Sequence, residues 1–523
     1  MKLINILIPV FLVLIISNTI IAQTSLSEQP VAAKNGLSGW ATAVDGNWAL
    51  IASPQKDNGS IQSVGEVAFL NYNSERWAMK QTIQPNNLPA LSNFGVSVAI
   101  DGTTAMVGSI GDHRNGLFSG TIFVYELEGD IWVHSNNIKG SNTKIGSRFG
   151  NATDLKGNIL ISGAYMGDGN ERKSGVAYIF EKVEGEWIET ALLKADDGDN
   201  GDYFGNSVQI INNNTMAVGA YRADGVENET GAVYIFKRSE NGWTETQKLT
   251  IPSGNNFDVF GYRLSSIQID NFLSEERSFL LVGSPGYDTE NEQTGAVFVF
   301  QYQNDEWSLI RTLVHENLLH NSQFGTSIAA NNRGEFFVGA SRMHSENKRE
   351  SGRVYSYNIE LQNENISFLS NLVLKSNSEM EFDHFGSIVS ATDEFVLISA
   401  PFRNRNDLVN AGETYFYSRT AVSNEQELET INSFKLHQNY PNPFNPSTVI
   451  SYQLPEASKV QLEVFDITGR KVAKLLNERV QAGIHEVNFD ASNLASGIYI
   501  YRLTIQSQSA GSRSLTKKLT LIK

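Results

Sequence analysis

The chain has 523 residues and a formal net charge of −16, with 41% hydrophobic residues, 43 glycines, 12 prolines and no cysteine. A chain of this length exceeds one ordinary compact core, so several domains or a ring of repeats are expected. The lack of cysteine excludes disulfides, thiolate metal sites, a cysteine nucleophile and a lipidated N-terminal cysteine.

The first predicted element is a signal peptide over residues 1–22. Lys2 supplies its positive charge, residues 3–16 are nearly all apolar, and a cleavage site precedes Gln23. The alternative is a membrane anchor, but the apolar stretch is short and is interrupted by the polar residues 17–19. No second apolar stretch of membrane length follows, so we expect no transmembrane segment in the mature chain.

The charge is unevenly distributed along the chain. Lys2 contributes +1 and residues 433–523 contribute +5, which leaves the body between them with −22. A body this acidic is expected to repel nucleic acid and anionic lipid. Two interpretations of the acidity stay open, a solvated surface and divalent-cation binding.

Three markers recur in fixed order and predict a repeat architecture. The first is Phe-Gly before an alternating apolar run, and its glycines lie 56, 55, 55, 56, 64 and 61 residues apart. The second is a glycine that opens an aromatic strand, 25 to 27 residues later in six of seven copies. Copy five is the exception, with an apparent insertion at residues 271–278. The first-marker glycines are Gly39 (in a degenerate Ser-Gly copy), Gly95, Gly150, Gly205, Gly261, Gly325 and Gly386; the second-marker glycines are Gly65, Gly120, Gly175, Gly231, Gly295, Gly352 and Gly412; the third marker is Trp77, Trp132, Trp187, Trp243, Trp307 or Phe368.

Each copy predicts four short strands rich in β-branched and aromatic residues, in copy three at residues 151–155, 159–164, 176–180 and 187–193. One four-stranded sheet cannot bury both of its faces, whereas seven sheets stacked radially can. The sequence therefore predicts an all-β fold with a seven-bladed β-propeller over residues 23–420. The Phe and Trp markers are expected to pack between blades.

Copy seven shows strands at residues 388–391, 395–400 and 413–417 but no marked fourth strand. We expect the mature N-terminal segment, residues 23–32, to supply the missing outer strand, because this would remove an exposed sheet edge. The alternative donor is the segment after Arg419.

The repeat resembles a known family in its motifs. The segment Ala195-Asp-Asp-Gly-Asp-Asn-Gly-Asp-Tyr-Phe-Gly-Asn-Ser-Val, followed by Met216-Ala-Val-Gly-Ala and Gly231-Ala-Val-Tyr-Ile-Phe, resembles the bacterial FG-GAP repeat. The Gly-Ala-Pro part of that motif has counterparts in Val282-Gly-Ser-Pro and Ile398-Ser-Ala-Pro. The resemblance covers residues 36–418, and the family is related to the integrin α-subunit propeller. It implies a propeller with a role in surface binding or adhesion.

The character of the chain changes after Arg419. Residues 421–432 are polar and acidic and predict a linker. Alternating strands over residues 433–523 predict a small antiparallel β-sandwich of Ig-like type. This segment resembles the type A sorting domain of type IX secretion, which implies contact with that machinery, export across the outer membrane of a Gram-negative bacterium, and attachment to its surface. The residues that carry the sorting signal in this interpretation are Asn442, Pro443, Phe444, Asn445, Pro446, Gly469, Gly497, Tyr499 and Lys523.

The long loops between second and third strands are the predicted binding surface. In a propeller they share one face with the loops between blades, and functional diversity is usually carried by long loops on a rigid scaffold. The ligand would be a surface glycan or a protein; a solvated polar rim is the alternative. The candidate ligand-binding residues are Asp112, Arg114, Asp168, Arg172, Arg222, Asp224, Asp288, Arg342, Arg403 and Arg405.

No cofactor is predicted with certainty, and Ca²⁺ is the one candidate. Integrin-type propellers carry Asp-rich calcium loops between strands one and two, but here those turns have shrunk to forms such as Asp101-Gly102. A second acidic run lies in a loop between blades and does not match EF-hand spacing. Its members, the candidate ligands of a weak Ca²⁺ site, are Asp196, Asp197, Asp199 and Asp202.

Catalytic motifs are missing from the sequence: there is no His-Glu-x-x-His, no Gly-x-Ser-x-Gly and no phosphate loop. We therefore expect a surface adhesion or ligand-binding protein and not an enzyme. The main alternative is a secreted polysaccharide- or peptide-degrading enzyme with its site at the propeller axis, because a carboxylate pair is spatial and not sequential. A structural surface-layer component is the third hypothesis.

Overall fold

A computed structural model of the chain describes residues 22–522 except 24–32, 226, 228, 253, 271–275, 290–291, 316–317, 346–347, 363–364, 406, 419–433, 440–441, 455–456, 481–482 and 508–510. The predicted signal peptide up to residue 21, the linker and Lys523 lie outside these residues. All regular elements of the described part are strands, β1 to β37. None of its residues forms a helix long and apolar enough to cross a membrane.

Seven four-stranded antiparallel sheets follow one another along residues 22–418, which confirms the all-β propeller. In the first six sheets, the four strands lie side by side in the order in which they occur along the chain, from the inner to the outer edge. Blade one contains β2 to β5 (Ala41–Asp45, Trp48–Ser53, Glu66–Tyr72, Trp77–Ile83), blade two β6 to β9 (Phe94–Asp101, Thr104–Ser109, Thr121–Glu128, Ile131–Ile138), and blade three β10 to β13 (Thr153–Lys156, Ile159–Ala164, Val176–Val183, Glu186–Leu193).

Blades four to six repeat this order. Blade four contains β14 to β17 (Ser207–Asn212, Thr215–Ala220, Ala232–Ser239, Gly242–Leu249), blade five β18, β19, β22 and β23 (Arg263–Asp270, Glu276–Ser284, Ala296–Gln303, Glu306–Leu313), and blade six β24 to β27 (Phe324–Ala330, Glu335–Ala340, Arg353–Gln362, Asn365–Leu374). Blade five carries a small additional hairpin between its second and third strands, formed by β20 (Asp288–Thr289) and β21 (Glu292–Gln293).

Blade seven combines both ends of the propeller. Its strands β28 (Ile388–Ala391), β29 (Phe395–Ala400) and β30 (Glu413–Ser418) are joined on the outside by β1 (Ala22–Gln23). Ala22 pairs with Ser418 and Gln23 with Tyr417, so the N-terminal segment supplies the outer strand as predicted. The rest of the predicted strand, residues 24–32, lies outside the described residues, and Ala22 itself falls in the predicted signal peptide.

The ring closes between blades seven and one. The hydroxyl oxygens of Thr42 and Ser390 lie 2.8 Å apart, and the Ser390 hydroxyl donates to the Thr42 carbonyl at 2.8 Å. Both residues belong to innermost strands, β2 and β28. Elsewhere in the ring the innermost strand also bonds to the next copy, as where Ser207 Oγ of β14 donates to the Gly261 carbonyl at 2.7 Å.

The two glycine markers mark a contact between blades. Gly175 and Phe204 form an isolated parallel bridge, and a Cβ added to Gly175 would lie 2.0 Å from the Phe204 carbonyl oxygen. All seven second-marker glycines approach the next copy in this way, at 2.0 to 2.2 Å, including Gly412 against Ser38 across the seam. The backbone at these glycines has positive φ, a conformation that glycine adopts without steric cost. The repeat markers are therefore the points where adjacent blades meet.

The aromatic markers pack between blades, as predicted. The ring of Trp132 lies 5.4 Å from Phe69 and 5.5 Å from Trp48, both in the preceding blade. Trp77 of blade one contacts Phe395 and Phe416 of blade seven at 4.9 and 5.1 Å. The six phenylalanines of the Phe-Gly markers are fully buried. Burial of such rings contributes roughly 1.5–3 kcal/mol each.

The tail is a two-layer antiparallel β-sandwich. One sheet contains β31 (Lys435–Leu436), β32 (Ser447–Leu454) and β35 (Gly483–Asp490); the other contains β33 (Ser458–Asp466), β34 (Lys471–Val480), β36 (Gly497–Ser507) and β37 (Gly511–Leu521). Side chains of both sheets share one core, which includes Tyr452 of the first and Leu462 and Leu503 of the second. This confirms the predicted small sandwich.

Candidate ligand-binding surface

The propeller has two different faces. We call the side with the loops between second and third strands and between blades the loop face, and the side with the turns joining strands one to two and three to four the turn face. Each Phe-Gly marker begins, and each second strand ends, at the loop face. Residues that flank these points therefore surround the mouth of the ring axis.

Four tyrosines form a continuous row at this mouth, which we call the tyrosine row: Tyr165, Tyr203, Tyr221 and Tyr262. Their ring centroids are separated in that order by 5.4, 5.7 and 5.9 Å, and the ring planes are inclined by 84°, 44° and 77°. Such edge-on and tilted contacts are the favourable geometries for aromatic pairs. The row runs across blades three, four and five.

Local sequence positions these rings. Tyr165 and Tyr221 directly follow the second strands β11 and β15, Tyr203 directly precedes a Phe-Gly marker, and Tyr262 directly follows the next one. Asn151 fixes the start of the row, because its Oδ1 accepts from the Tyr165 backbone N–H at 3.3 Å. These positions are tied to the rigid inner strands, so the row is held by the scaffold and not by the long loops.

Three arginines lie against the tyrosine row. The guanidinium of Arg148 is 6.0 Å from the Tyr165 ring centroid, that of Arg222 is 5.4 Å from Tyr203, and that of Arg263 is 5.0 Å from Tyr262. These are cation–π distances. Among the residues that the structure describes, none of the three guanidinium groups forms an ion pair with a carboxylate. Unpaired cations are therefore concentrated at one place on an acidic propeller.

Two phenols of the row, Tyr165 and Tyr221, are held in the neutral form. Burial raises the pKa of Tyr221 to about 12, and the neighbouring tyrosines act in the same direction against the charge of Arg222. Burial also raises the pKa of Tyr165, which the charge of Arg148 partly offsets. The row thus offers hydroxyl groups and half-buried ring faces next to the charges of the arginines.

A second aromatic group lies across the mouth, near the seam of the ring. Phe402 contacts His384 at 4.9 Å and Trp40 at 6.3 Å. Glu350 binds His384 Nε2 at 2.8 Å and lies 3.6 Å from Arg342 Nε. Burial lowers the pKa of His384, although its bond to Glu350 acts against this shift. Arg342, a predicted binding residue, is therefore engaged by a carboxylate.

Two other predicted binding residues are buried and hold their loops. Asp112 is 0% exposed and accepts from Arg114 Nε at 2.7 Å, while the Arg114 guanidinium lies 4.5 Å from the Phe123 ring centroid. Arg403 is 7% exposed and bonds to Asp383 in addition to a bond from Nε to Glu413 at 2.5 Å. Such buried ion pairs are costly to break, which suits a role in fixing loop geometry.

The remaining predicted binding residues lie on the loop face without converging on one point. Arg222 belongs to the tyrosine row, and Arg172 is exposed. The others bond within or near their own loops: Asp168 to the Lys173 N–H at 3.1 Å, Asp224 to the Glu229 N–H at 3.0 Å, Asp288 to Asn255 Nδ2 at 3.4 Å, and Arg405 to the Gly412 carbonyl at 3.3 Å.

The four candidate calcium ligands do not come together. The Asp197 carboxylate is taken by Lys248 at 2.5 Å and the Tyr234 hydroxyl at 2.7 Å, and Asp202 Oδ2 accepts from the Asp199 N–H at 2.7 Å. The backbone N–H of Asp196 donates to Glu245 at 2.9 Å. Within the described ranges, no three His, Asp or Glu side chains are placed to hold a metal ion. The run instead serves as a network that shapes the loop.

The ring axis contains one acid in the middle of an inner strand, Asp154, within the described part. Its Oδ2 accepts from the Ile210 N–H at 2.6 Å and from Gln209 Nε2 at 3.0 Å. Burial raises its pKa to about 6. These bonds join blades three and four, so the residue is engaged in the contact between blades.

The predicted sorting residues connect the two ends of the sandwich. Asn442 Oδ1 accepts from the Thr520 N–H at 2.7 Å, and Phe444 donates to the Thr520 carbonyl at 3.0 Å and accepts from the Ile522 N–H at 3.0 Å. Phe444 is buried in the sandwich core. Of the other sorting residues, Pro446 accepts from Ala491, Gly469 makes a turn with positive φ, Tyr499 donates to the Ala495 carbonyl, and Gly497 pairs with Leu521; Asn445 is exposed.

Comparison with protein families supports both parts of the chain. The FG-GAP repeat model matches residues 77–125 and 187–236, and the secretion system C-terminal sorting domain model matches residues 438–520. The chain contains FG-GAP repeats and ends in a sorting domain. Each matched repeat runs from the fourth strand of one blade to the third strand of the next. The sorting domain marks the chain for secretion and attachment to the cell surface, as predicted, and implies an interaction with the secretion machinery.

Solved structures show only distant likeness. A periplasmic gluconolactonase from Pseudomonas aeruginosa matches with a TM-score of 0.41 and 10% identity over 84% of this chain and 99% of its own. The β-propeller domain of the Trilobed protease from Pyrococcus furiosus matches with a TM-score of 0.39 and 10% identity over 73% of this chain and 94% of its own. An acylaminoacyl peptidase from Pyrococcus horikoshii matches with a TM-score of 0.39 and 8% identity over 84% of this chain and 59% of its own. No curated protein matches the sequence.

The tyrosine row is not among the residues predicted from the sequence. The predicted binding residues are charged residues of the long loops, whereas the row lies at the ends of the first and second strands. A signal was available, because Tyr165 and Tyr221 occupy one repeat position and Arg148 and Tyr203 another, directly before the Phe-Gly marker.

Proposed function

We propose that this chain is an exported cell-surface binding protein whose loop face binds an acidic glycan and does not degrade it. The observation that carries the proposal is the tyrosine row with its three arginines. Flat aromatic faces accept the C–H faces of sugar rings, and guanidinium groups bind carboxylates or sulfates in a fixed fork geometry. The sorting domain would present this surface outside the cell.

The electrostatics of the site favour an acidic ligand over a neutral one. Arg148, Arg222 and Arg263 lie on a body of strongly negative charge without carboxylate partners among the described residues. A cation that has no internal partner gains most from an external anion. Because acidic polymers are repelled by the rest of the body, binding would be restricted to this mouth.

Binding of an acidic polysaccharide to the purified full chain tests the proposal. Polygalacturonate is the probe and a neutral glucan of similar length is the control. We expect Tyr203→Ala and Arg222→Ala each to weaken binding about tenfold, since such contacts contribute on the order of 1–2 kcal/mol. Arg349→Ala is the matched control, because this exposed arginine lies on the same face in a loop of blade six, outside the blades that carry the row.

The enzyme alternative is tested in the same samples. If the chain releases reducing ends from the polymer and Tyr203→Ala abolishes this release, the hydrolase hypothesis replaces the binding hypothesis. Equal affinity for the acidic and the neutral polymer would refute the role of the arginines.

A further inference from the structure

A cleft of about 590 Å³ opens on the turn face, on the opposite side of the propeller from the tyrosine row. Its walls come from the turn Asn212–Asn214 of blade four and from strand ends of blades three to five, including Lys156, Lys237, Gln268 and Tyr302. A second cleft of about 430 Å³ shares Lys156, Asn213 and Arg238 with it. The two form one surface, which we call the amide groove. Its size is within the range typical of small-molecule sites.

Two ammonium groups in the amide groove have no acidic partner among the described residues. Lys237 Nζ donates to the Tyr302 hydroxyl at 2.7 Å and lies 4.6 Å from that ring centroid. Lys156 Nζ makes one long contact of 3.4 Å with a backbone carbonyl. The guanidinium of Arg238, which lines the same groove, is by contrast paired with Glu181 at 3.1 Å. The groove therefore contains two ammonium groups that form no ion pair in the described part, although Glu181 also lines it and Asp305 Oδ1 accepts from the Tyr302 hydroxyl at 3.0 Å.

Uncharged hydrogen-bonding groups line the same cleft as the two lysines. Asn213 and Asn214 are exposed at the tip of their turn. The Nε2 atom of Gln268 is shielded from solvent and has no hydrogen-bond partner in the described part of the chain. An amide carries two donors and one acceptor, which matches a hydroxyl that both donates and accepts. A wall of amides is thus suited to a ligand with several hydroxyl groups.

We propose that the amide groove binds a sugar unit that bears a carboxylate. The carboxylate would be held by Lys237 and Lys156, and the ring hydroxyls by Asn213, Asn214 and Gln268. A bare anion would use the lysines but leave the amides unused, and a neutral sugar would use the amides alone. The combination selects a ligand with both features. Because it lies on the other face, this site does not depend on the tyrosine row.

Calorimetric titration of the full chain with glucuronate tests the proposal, with glucose and inorganic phosphate as comparison ligands. We expect glucuronate to bind at least about tenfold more tightly than either, since a charge-assisted bond and several hydroxyl bonds act together. Lys237→Gln should weaken glucuronate binding about tenfold. Lys182→Gln is the matched control, because Lys182 borders the groove but is already paired with Glu126 at 2.8 Å. The affinity of this variant for glucuronate should differ from that of the unmodified chain by less than about twofold.

Three further measurements make the outcome decisive. Asn214→Ala, a surface change in a turn, should weaken glucuronate binding about threefold or more even if Lys237→Gln proves unstable. The same groove variants are also compared in the Tyr203→Ala, Arg222→Ala background, which removes uronate binding at the loop face; the fold-loss caused by Asn214→Ala should be the same in both backgrounds, which separates the two sites. Phosphate binding as tight as glucuronate binding would overturn the sugar assignment. Glucuronate binding that is undetectable, or unaffected by both groove variants, would overturn the site.

Discussion

Replacement of Gly175 by alanine should destabilise the propeller far more than replacement of Gly185. Both glycines lie in blade three with nearly the same backbone conformation, φ +92° and +90°. A Cβ at Gly175 would lie 2.0 Å from the Phe204 carbonyl oxygen and 2.5 Å from its nitrogen, whereas a Cβ at Gly185 would have no atom within 4 Å. The pair therefore separates the cost of the conformation from the cost of the contact between blades.

The magnitudes follow from these contacts. An alanine at such a φ costs about 1–2 kcal/mol in either variant. At Gly175 the overlap of more than 1 Å with ordinary contact distance must be relieved by moving Phe204, which is fully buried and whose N–H donates to the Ser174 carbonyl at 2.9 Å. Losing that bond and part of the ring packing adds about 3 kcal/mol or more. We expect Gly175→Ala to cost at least about 4 kcal/mol and Gly185→Ala no more than about 2 kcal/mol.

Urea unfolding followed by tryptophan fluorescence measures this difference in the full chain. All seven tryptophans lie between Trp40 and Trp307, so the signal reports on the propeller and not on the sorting domain. Midpoints at constant slope give the change in the free energy of unfolding. Equal destabilisation by the two substitutions, within about 0.5 kcal/mol, would refute the claim that the second-marker glycine is required by the neighbouring blade.

Two further predictions concern acid stability and the sorting domain. Asp258 is 1% exposed, accepts from the Asn255 N–H at 2.7 Å, and burial raises its pKa to about 6. The native state therefore holds the proton of Asp258 more tightly than the unfolded chain does. The stability that this gives is fully present below the unfolded pKa and is lost as the pH rises through about 6. Asp258→Ser introduces the residue type found at the same repeat position in the next copy, Ser322. Between pH 4 and pH 7 its free energy of unfolding should rise by up to about 3 kcal/mol relative to that of the unmodified chain. Parallel pH profiles of the urea midpoint for the two chains would contradict this. Phe444→Ala should cost the sandwich about 3–5 kcal/mol and reduce the fraction of chain at the cell surface, with unchanged tryptophan-detected unfolding of the propeller; normal surface display of a destabilised sandwich would contradict the link.

The regular part of the fold could be predicted because each copy repeats the same local chemistry. In blade three, the predicted strands 159–164 and 187–193 differ from β11 and β13 by no more than one residue at either end. Periodicity also indicated that an outer strand was missing, and β1 supplies it. The apparent insertion in copy five lengthens the hairpin of β18 and β19, and residues 271–275 lie outside the described part.

The candidate site was less predictable, because it depends on distances between copies. Tyr165 and Tyr203 are 38 residues apart in sequence and 5.4 Å apart in space, and the packing of blade three against blade four brings them together. Asp112 and Arg403 illustrate the opposite error. A charged residue in a long loop has the same sequence pattern whether its partner is a ligand or a buried counter-ion. The sequence does not show that Arg403 meets Asp383, which lies in the loop leading into blade seven.

The ring divides into a side that holds it closed and a side that is free to bind. Blade seven completes its sheet with the two residues of β1, and the N–H groups of residues 35, 37 and 38 donate to the carbonyls of residues 409–411 across the seam. The polar loop residues beside it are engaged in ion pairs, such as Arg403 with Glu413 and His384 with Glu350. Blades three to five are continuous along the chain and also contain ion pairs, such as Arg238 with Glu181 at 3.1 Å. Their strand ends carry cations without carboxylate partners among the described residues, Arg222 on the loop face and Lys237 on the turn face. The same stretch of ring therefore carries both proposed sites, and a ligand bound there would not disturb the ion pairs that support the seam.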